Sequence, residues 1–446
     1  MNNKAGKERI LMMNYSSSLG IAFIYPVVIC ILEALMLIYS FVNSDFYGPL
    51  LSRYRLFYSS FLIVGVLIMA LNLYVKKDVE NRYRILNISN PLFAAFSFAW
   101  ALILTYSDST ITHVMDPVIF MTFSLTVPLC IFLRPKMYAF IISAADIMLV
   151  VLIISQTEVS ATIINYLIFF AFQLIFGLSF IQAKTRLTEK RLEEEERIEA
   201  ELALAAKIQT SFLPRDFPPF PERDEFELYA SMTPAKEVGG DFYDFFFTDS
   251  DHLALVMADV SGKGIPAAMF MVDAKNKIRS AVMKHGSDVA AAVREANIEL
   301  CDGNDAGLFV TVWLGVLTVS TGHMEYVDAG HEYPAICRKG GEFAIEEDVH
   351  SAPVAARKKT EFEAGAFDLK AGDILYLYTD GVTEANNSAG EMFRRSRMLE
   401  ALNKSVNAPV KDIDSAIRGA LAEFVQDTPQ FDDTTMLVFR YKGCKA

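Results

Sequence analysis

Six apolar stretches, each of a length that can cross a bilayer as a helix, crowd the first 182 of the chain's 446 residues. They run over about Ser17–Phe41, Tyr54–Val75, Pro91–Ser107, Pro117–Leu133, Met137–Gln156 and Ala161–Ile181. A hydrocarbon core of about 30 Å needs roughly 20 residues of helix, so the third and fourth stretches are the shortest that could serve. The first exceeds a signal-peptide core and lacks a small-residue cleavage site, so it is expected to be retained as a span. Basic residues collect in alternate loops. Lys4, Lys7 and Arg9 precede the first stretch, and Lys76, Lys77, Arg82 and Arg84 lie between the second and third. Arg134 and Lys136 separate the fourth and fifth, and Lys184, Arg186, Lys190 and Arg191 follow the sixth. The other loops hold only Arg53 and Arg55, so both termini are expected on the cytoplasmic side.

Charge divides the chain at the same place. Residues 1–182 carry 11 Lys and Arg against 9 Asp and Glu, whereas residues 183–446 carry 30 against 45. A soluble half with a net charge of −15 argues against nucleic-acid binding, which needs clustered cations. The five cysteines, Cys30, Cys130, Cys301, Cys337 and Cys444, show no CxxC or disulfide spacing, which argues against a disulfide scaffold or thiolate zinc site. Within the apolar half, Glu33 and Asp146 are ionisable residues inside spans, each readable as a ligand or proton site or as a hydrogen-bonded lock on helix packing. Nothing resembles a paired transporter repeat or a selectivity filter, so the all-α bundle of residues 1–182 reads as a sensor or anchor.

Residues 183–213 form a charged run without Gly or Pro until Pro214, and predict a helical stalk. Ile198, Leu202, Ala205, Gln209 and Phe212 follow the four-three spacing of a coiled-coil seam, which a parallel dimer would bury; a single solvated helix is the other reading. The Pro-rich stretch 214–225 is expected to be a linker, and residues 226–446 a separate domain.

In that domain FELYASM, HLALVMADV, LFVTVWLGVLTV, HMEYVDAG, DILYLYTDG and TTMLVFRY read as strands, and Pro266–Lys284 and Ser287–Leu300 as helices, which predicts α+β layering. Carboxylates gather at strand ends beside small residues: Gly239-Gly240-Asp241 with Asp244 beyond it, Asp259 before Ser261-Gly262-Lys263-Gly264, Asp380-Gly381, and Asp432-Asp433. Taken singly, each is an ordinary turn. Four in one domain supply the oxygen donors that a pair of hard divalent cations requires for phosphoryl chemistry.

The motifs AAKIQTSFLP, AKEVGGDFYDFF, ADVSGKGIPAAMF, FVTVWLGVL, YVDAGHEYP, GDILYLYTDGVTEA and FDDTTMLV make the region from about Ala206 to Tyr441 resemble the SpoIIE-like, sigma-factor regulatory branch of the PPM (protein phosphatase 2C type) serine/threonine phosphatases. The resemblance implies an antiparallel β-sandwich flanked by helices and two Mn²⁺ or Mg²⁺ ions. It implies that Asp241 and Asp259 bind the bridged metal pair with the Val260 carbonyl, that Asp380 and Asp432 complete the shell of the second metal, and that Asp433 and Asp244 are further ligand candidates. Gly239, Gly240, Gly262, Gly264 and Gly381 would support them. It also implies attack by a metal-activated water without a phospho-enzyme, a phosphorylated STAS-domain anti-sigma-factor antagonist as substrate, and a bacterial inner-membrane location with the catalytic domain in the cytoplasm. A switch helix at Ala206, Ile208, Gln209, Phe212 and Leu213 would act through a homodimeric stalk.

Ser261 stands where the wider family carries a His that can protonate the leaving alkoxide, so the general acid is unassigned. His331 in the AGH motif is expected to fix a turn, and Glu384 to cap a helix or orient ligands. Ser351–Ala356 lacks the usual glycines, and Phe393-Arg394-Arg395 replaces a more typical Phe-Gly. Two other readings stay open: a catalytically inactive phosphatase-fold scaffold, and a diguanylate-cyclase-type enzyme. The latter needs GG[DE]EF where this chain reads GGDFYD, and leaves Asp380 and Asp432 without roles.

Overall fold

The computed structural model describes residues 4–112, 117–156, 161–348 and 350–444. The chain divides into two compact units, Met1–Arg197 and Ile198–Ala446. The division falls within one helix, Ala161–Ser211, and not in the Pro-rich stretch that follows it.

The first unit is all helical. Lys4–Val42, Leu51–Lys76, Val79–Thr112, Pro135–Gln156 and Ala161–Ser211 are long and apolar enough to cross a membrane. The fourth expected span is a shorter helix, Val118–Cys130. Its 13 residues rise only about 20 Å at 1.5 Å per residue, because Pro128 and the extended Ile131 end it early. Buried aromatic rings, Phe61, Phe93, Trp100, Phe120 and Phe123 among them, fill the interior, while Ile24, Leu35, Ile63, Leu67 and Met148 face outward. A large apolar outer surface suits lipid, not water. Asp146 accepts a hydrogen bond from Gln173 on the next helix, which matches the packing-lock reading of that carboxylate. Glu33 is buried with Oε2 unpartnered among the described residues.

The second unit contains two five-stranded antiparallel sheets. The strands are β1 (Phe226–Thr233), β2 (Phe242–Phe247), β3 (His252–Val260), β4 (Val310–Thr318), β5 (His323–Ala329), β6 (Ala335–Cys337), β7 (Phe343–Ile345), β8 (Gly365–Asp368), β9 (Ile374–Tyr378) and β10 (Thr434–Tyr441). They are ordered β1-β10-β9-β6-β7 and β2-β3-β4-β5-β8. Alternation along each strand settles the layers. In β9, Leu375 and Leu377 join the core shared with β3 and β4. Ile374, Tyr376 and Tyr378 face the other way, onto helices Arg394–Ser405 and Val410–Val425. Helices Ile265–His285 and Val289–Cys301 cover the second sheet through Met271, Ile278, Val293 and Leu300. The sandwich flanked by helices is the architecture expected from the sequence.

The stretch 214–225 is not a free linker. Phe217 lies 4.7 Å from the Tyr229 ring and Phe220 4.9 Å from Phe247, and Tyr243 donates to the Pro214 carbonyl at 2.8 Å. The aromatic residues between its prolines bury against the sheet edge, so the segment belongs to the domain.

Candidate metal centre

Register brings the aspartates together. Phe242 pairs with Ala258 across β2 and β3, so the next pair outward is Asp241 beside Asp259. Met436 pairs with Tyr378 across β10 and β9, and Thr379 N donates to the Thr435 carbonyl at 3.1 Å, which puts Asp380 next to the Asp432-Asp433 turn. One pair thus ends each sheet, and both ends coincide at one rim of the sandwich. Thr379 and Thr435 join the sheets there. Their hydroxyls donate to Asp241 Oδ2 at 2.7 and 2.6 Å.

Glycine permits the approach at two points. A Cβ on Gly240 would lie 3.0 Å from the Val260 carbonyl oxygen, itself a ligand candidate, and a Cβ on Gly381 would collide with the Asp433 carbonyl. Small residues beside the acids are therefore steric requirements of the rim.

The electrostatics are those of carboxylates gathered without enough compensating charge. Burial, then repulsion from Asp259 and Asp433, holds Asp241 well above the usual carboxylate range. Burial and the Asp380 charge push Asp259 up to about 7, against the relief of its hydrogen bond with Asp241. Burial and Asp432 raise Asp380 to about 6. Like charges in a desolvated site hold their protons until a cation replaces them.

This donor set fits hard divalent cations. Carboxylate and carbonyl oxygens from both sheets converge where added positive charge relieves desolvation and repulsion together. Among the described residues no group of three acidic or imidazole side chains closes a metal shell alone. Mg²⁺ commonly takes one or two carboxylates and keeps water on its other positions.

Two ligand candidates have other work. Asp433 accepts from the backbone amide of Ala235 at 2.7 Å through Oδ1 and from those of Gly240 at 2.6 Å and Asp241 at 3.4 Å through Oδ2, so one oxygen fastens the Gly239-Gly240-Asp241 turn and the other the loop before it. Asp244 is not brought to the cluster. Strand alternation turns it from the side that Asp241 occupies, and its buried carboxylate pairs with Lys275 at 2.7 Å and Arg279 at 2.9 Å on the covering helix.

His331 is buried, donates its backbone amide to Asp328 at 2.8 Å and shares a 2.9 Å hydrogen bond between Nδ1 and the Thr311 hydroxyl. Burial drives its pKa down to about 3, so it stays neutral, as the turn-fixing reading expects. Glu384 does not cap a following helix: it ends the short helix Asp380–Thr383, donating its backbone amide to the Asp380 carbonyl at 2.7 Å, and its charge adds to the repulsion on Asp380. Gln209, in the helix Ala161–Ser211, reaches the same rim. Its amide donates to the Gly239 carbonyl at 2.6 Å and accepts from Gly239 N at 3.1 Å.

Sequence reasoning missed Thr379, Thr435, Lys263 and the Arg395–Glu332 pair at 3.0 Å. The threonines had a readable signal, since each lies within three residues of an expected ligand on an apolar strand.

A four-layer helix–sheet–sheet–helix domain with aspartates of both sheets at one rim has the fold of the PP2C class. Residues 249–442 match the family model of "Stage II sporulation protein E (SpoIIE)". The chain is 30% identical over 298 residues to Protein IcfG of Synechocystis sp., covering 59% of this chain and 45% of that one. It is 28% identical over 256 residues to Phosphoserine phosphatase RsbU of Bacillus subtilis, covering 56% and 72%. The solved SiaA-PP2C domain of Pseudomonas aeruginosa superposes with a TM-score of 0.50 at 24% identity, covering 56% of this chain and 98% of that one. The chain spans less than half the length of IcfG.

Proposed function

We propose that the chain is a membrane-bound protein phosphatase that hydrolyses phosphoserine or phosphothreonine on a regulatory protein, with an STAS-domain anti-sigma-factor antagonist as the substrate type. The observation that carries this reading is the convergence of Asp241, Asp259, Asp380 and Asp432 on one rim, where burial and mutual repulsion hold the Asp241, Asp259 and Asp380 carboxyls above the usual carboxylate range. Asp241, Asp259 and the Val260 carbonyl would hold one Mn²⁺ or Mg²⁺, and Asp380 with Asp432 a second. Such ions supply Lewis-acid charge and a water acidic enough to attack a phosphoryl group in line. The chain's own contribution is rigidity. Thr379 and Thr435 orient Asp241, Asp433 fixes the turn that carries it, and the Gly240 approach aims the Val260 carbonyl.

Control by the membrane helices is part of the proposal. Gln209 ties the helix leaving the first unit to Gly239, two residues from Asp241. On the same helix Leu204, Ile208 and Phe212 are exposed, as are Ile265 and Met269 on the helix that carries the Gln209-bonded Ala268. An apolar face of this kind supports a homodimer that orders the turn. Leu213 is buried in the domain core and Ala206 is partly covered.

The test is phosphate release from a phosphoserine-bearing STAS-domain protein by the full chain in lipid nanodiscs, with Mn²⁺, with EDTA, and with Asp259→Asn. Metal-dependent release abolished by the substitution is the expected result. A folded chain that neither binds Mn²⁺ nor releases phosphate would instead be a membrane-tethered scaffold.

A further inference from the structure

Lys263 lies in the turn between β3 and the helix Ile265–His285, and its ammonium sits among the acids. It is 2.8 Å from Asp432 Oδ2, donates to the Phe431 carbonyl at 2.6 Å, and lies 3.8 Å from the centroid of the Phe431 ring. The other carboxylate oxygen, Oδ1, accepts the Asp433 amide at 2.9 Å. Both oxygens of Asp432 are thus engaged, one by backbone and one by a cation. Asp432 is also one source of the repulsion on Asp259 and Asp380, and the Lys263 ammonium lies directly against it.

We propose that Lys263 is a resident counter-cation for the second metal position. It occupies the Asp432 oxygen until a divalent ion displaces it, and thereby makes the Asp380–Asp432 position the weaker and later filled of the two. The inference rests on the two-metal phosphatase reading and adds an order of filling to it. Both partners are partly exposed, at 33% for Lys263 and 26% for Asp432, and ion pairs with that much solvent are weak enough to exchange. Among the described residues no cationic side chain pairs with Asp241 or Asp259, and the hydroxyls that donate to Asp241 are neutral.

The test is a Mn²⁺ titration of the full, chelator-stripped chain in nanodiscs, with free Mn²⁺ read by its electron paramagnetic resonance signal. The wild-type chain should show a tight and a weaker class. Lys263→Met should tighten the weaker class by about tenfold and leave the tight class unchanged, because one positive charge a few ångströms from the ion is removed. Lys263→Arg, which keeps the charge, should stay within about twofold of wild type. In an Asp432→Asn background Lys263→Met should have no further effect, as a double-mutant cycle requires of a residue acting through Asp432. An unchanged or weakened second class in a folded Lys263→Met chain would overturn the proposal while leaving the phosphatase reading intact. A wild-type chain that binds no Mn²⁺ would overturn both.

Discussion

Asp259 shows at the scale of one residue how much the rim depends on charge. Replacing it with Asn should lower metal-dependent phosphate release by about a hundredfold or more, measured as kcat at saturating Mn²⁺. The raised acidities set a pH dependence with a definite sign. An unfolded Asp titrates near 3.9, whereas Asp259 and Asp380 in the fold titrate at about 7 and about 6. Between those values the native state holds protons that the unfolded chain has released, so stability falls as pH rises. The metal-free chain should therefore melt highest near pH 4 and lose stability up to about pH 7, and Asp259→Asn should flatten that slope. Trp313 fluorescence in a Trp100→Phe background isolates the domain, since these are the chain's two tryptophans. Arg394 offers a separate test. It takes a φ of 64°, in the left-handed region that favours Gly, and Arg394→Gly should stabilise the domain by about 1 kcal/mol, read as a raised melting temperature. The identity of the four rim aspartates was legible because each follows or precedes an apolar strand. The separate duties of Asp433 and Asp244 were not, because adjacent residues in extended backbone face opposite ways and only the partner sheet or helix reveals what each one meets.

The helix ending at Ser211 is the element on which regulation would turn. Gln209→Ala removes both hydrogen bonds to Gly239 and should cost about 1–2 kcal/mol of local order. It is expected to weaken Mn²⁺ binding and lower kcat together, while a Gln209→Glu chain should recover only the contact made by the carboxamide oxygen. An unaltered Mn²⁺ isotherm in Gln209→Ala would show the helix to be passive packing. Long, patterned elements were the ones that the sequence displayed: six of the ten strands and both helices covering the second sheet. β2 escaped because FYDFFF is buried almost throughout and lacks alternation. β6 and β7, three residues each, are too short to carry a period. The helix Arg394–Ser405 was hidden by its charge: its sequence is strongly polar and buries only Met398 and Leu402 in the core.

For the whole molecule, whether the 13-residue helix Val118–Cys130 crosses a membrane would decide on which side the C-terminal unit lies. Six crossings return the chain to its starting side, and five leave the domain opposite the N-terminus. Arg134 and Lys136 immediately after that helix should hold their loop in the cytoplasm, with the bilayer thinning locally over a helix of about 20 Å. A reporter fused after residue 444 should therefore read as cytoplasmic, and Arg134→Glu with Lys136→Glu should move a measurable fraction to the outside. The domain itself is closed by its last strand: β10 pairs with β1 and β9, and Asp433 beside it grips the turn that carries Asp241. During synthesis the apolar helices leave the ribosome first and this strand among the last, so a nascent chain can enter the membrane while its metal rim still lacks Asp432 and Asp433. The order of the sequence thus lets the helices reach a membrane before the rim that would hold a metal is complete.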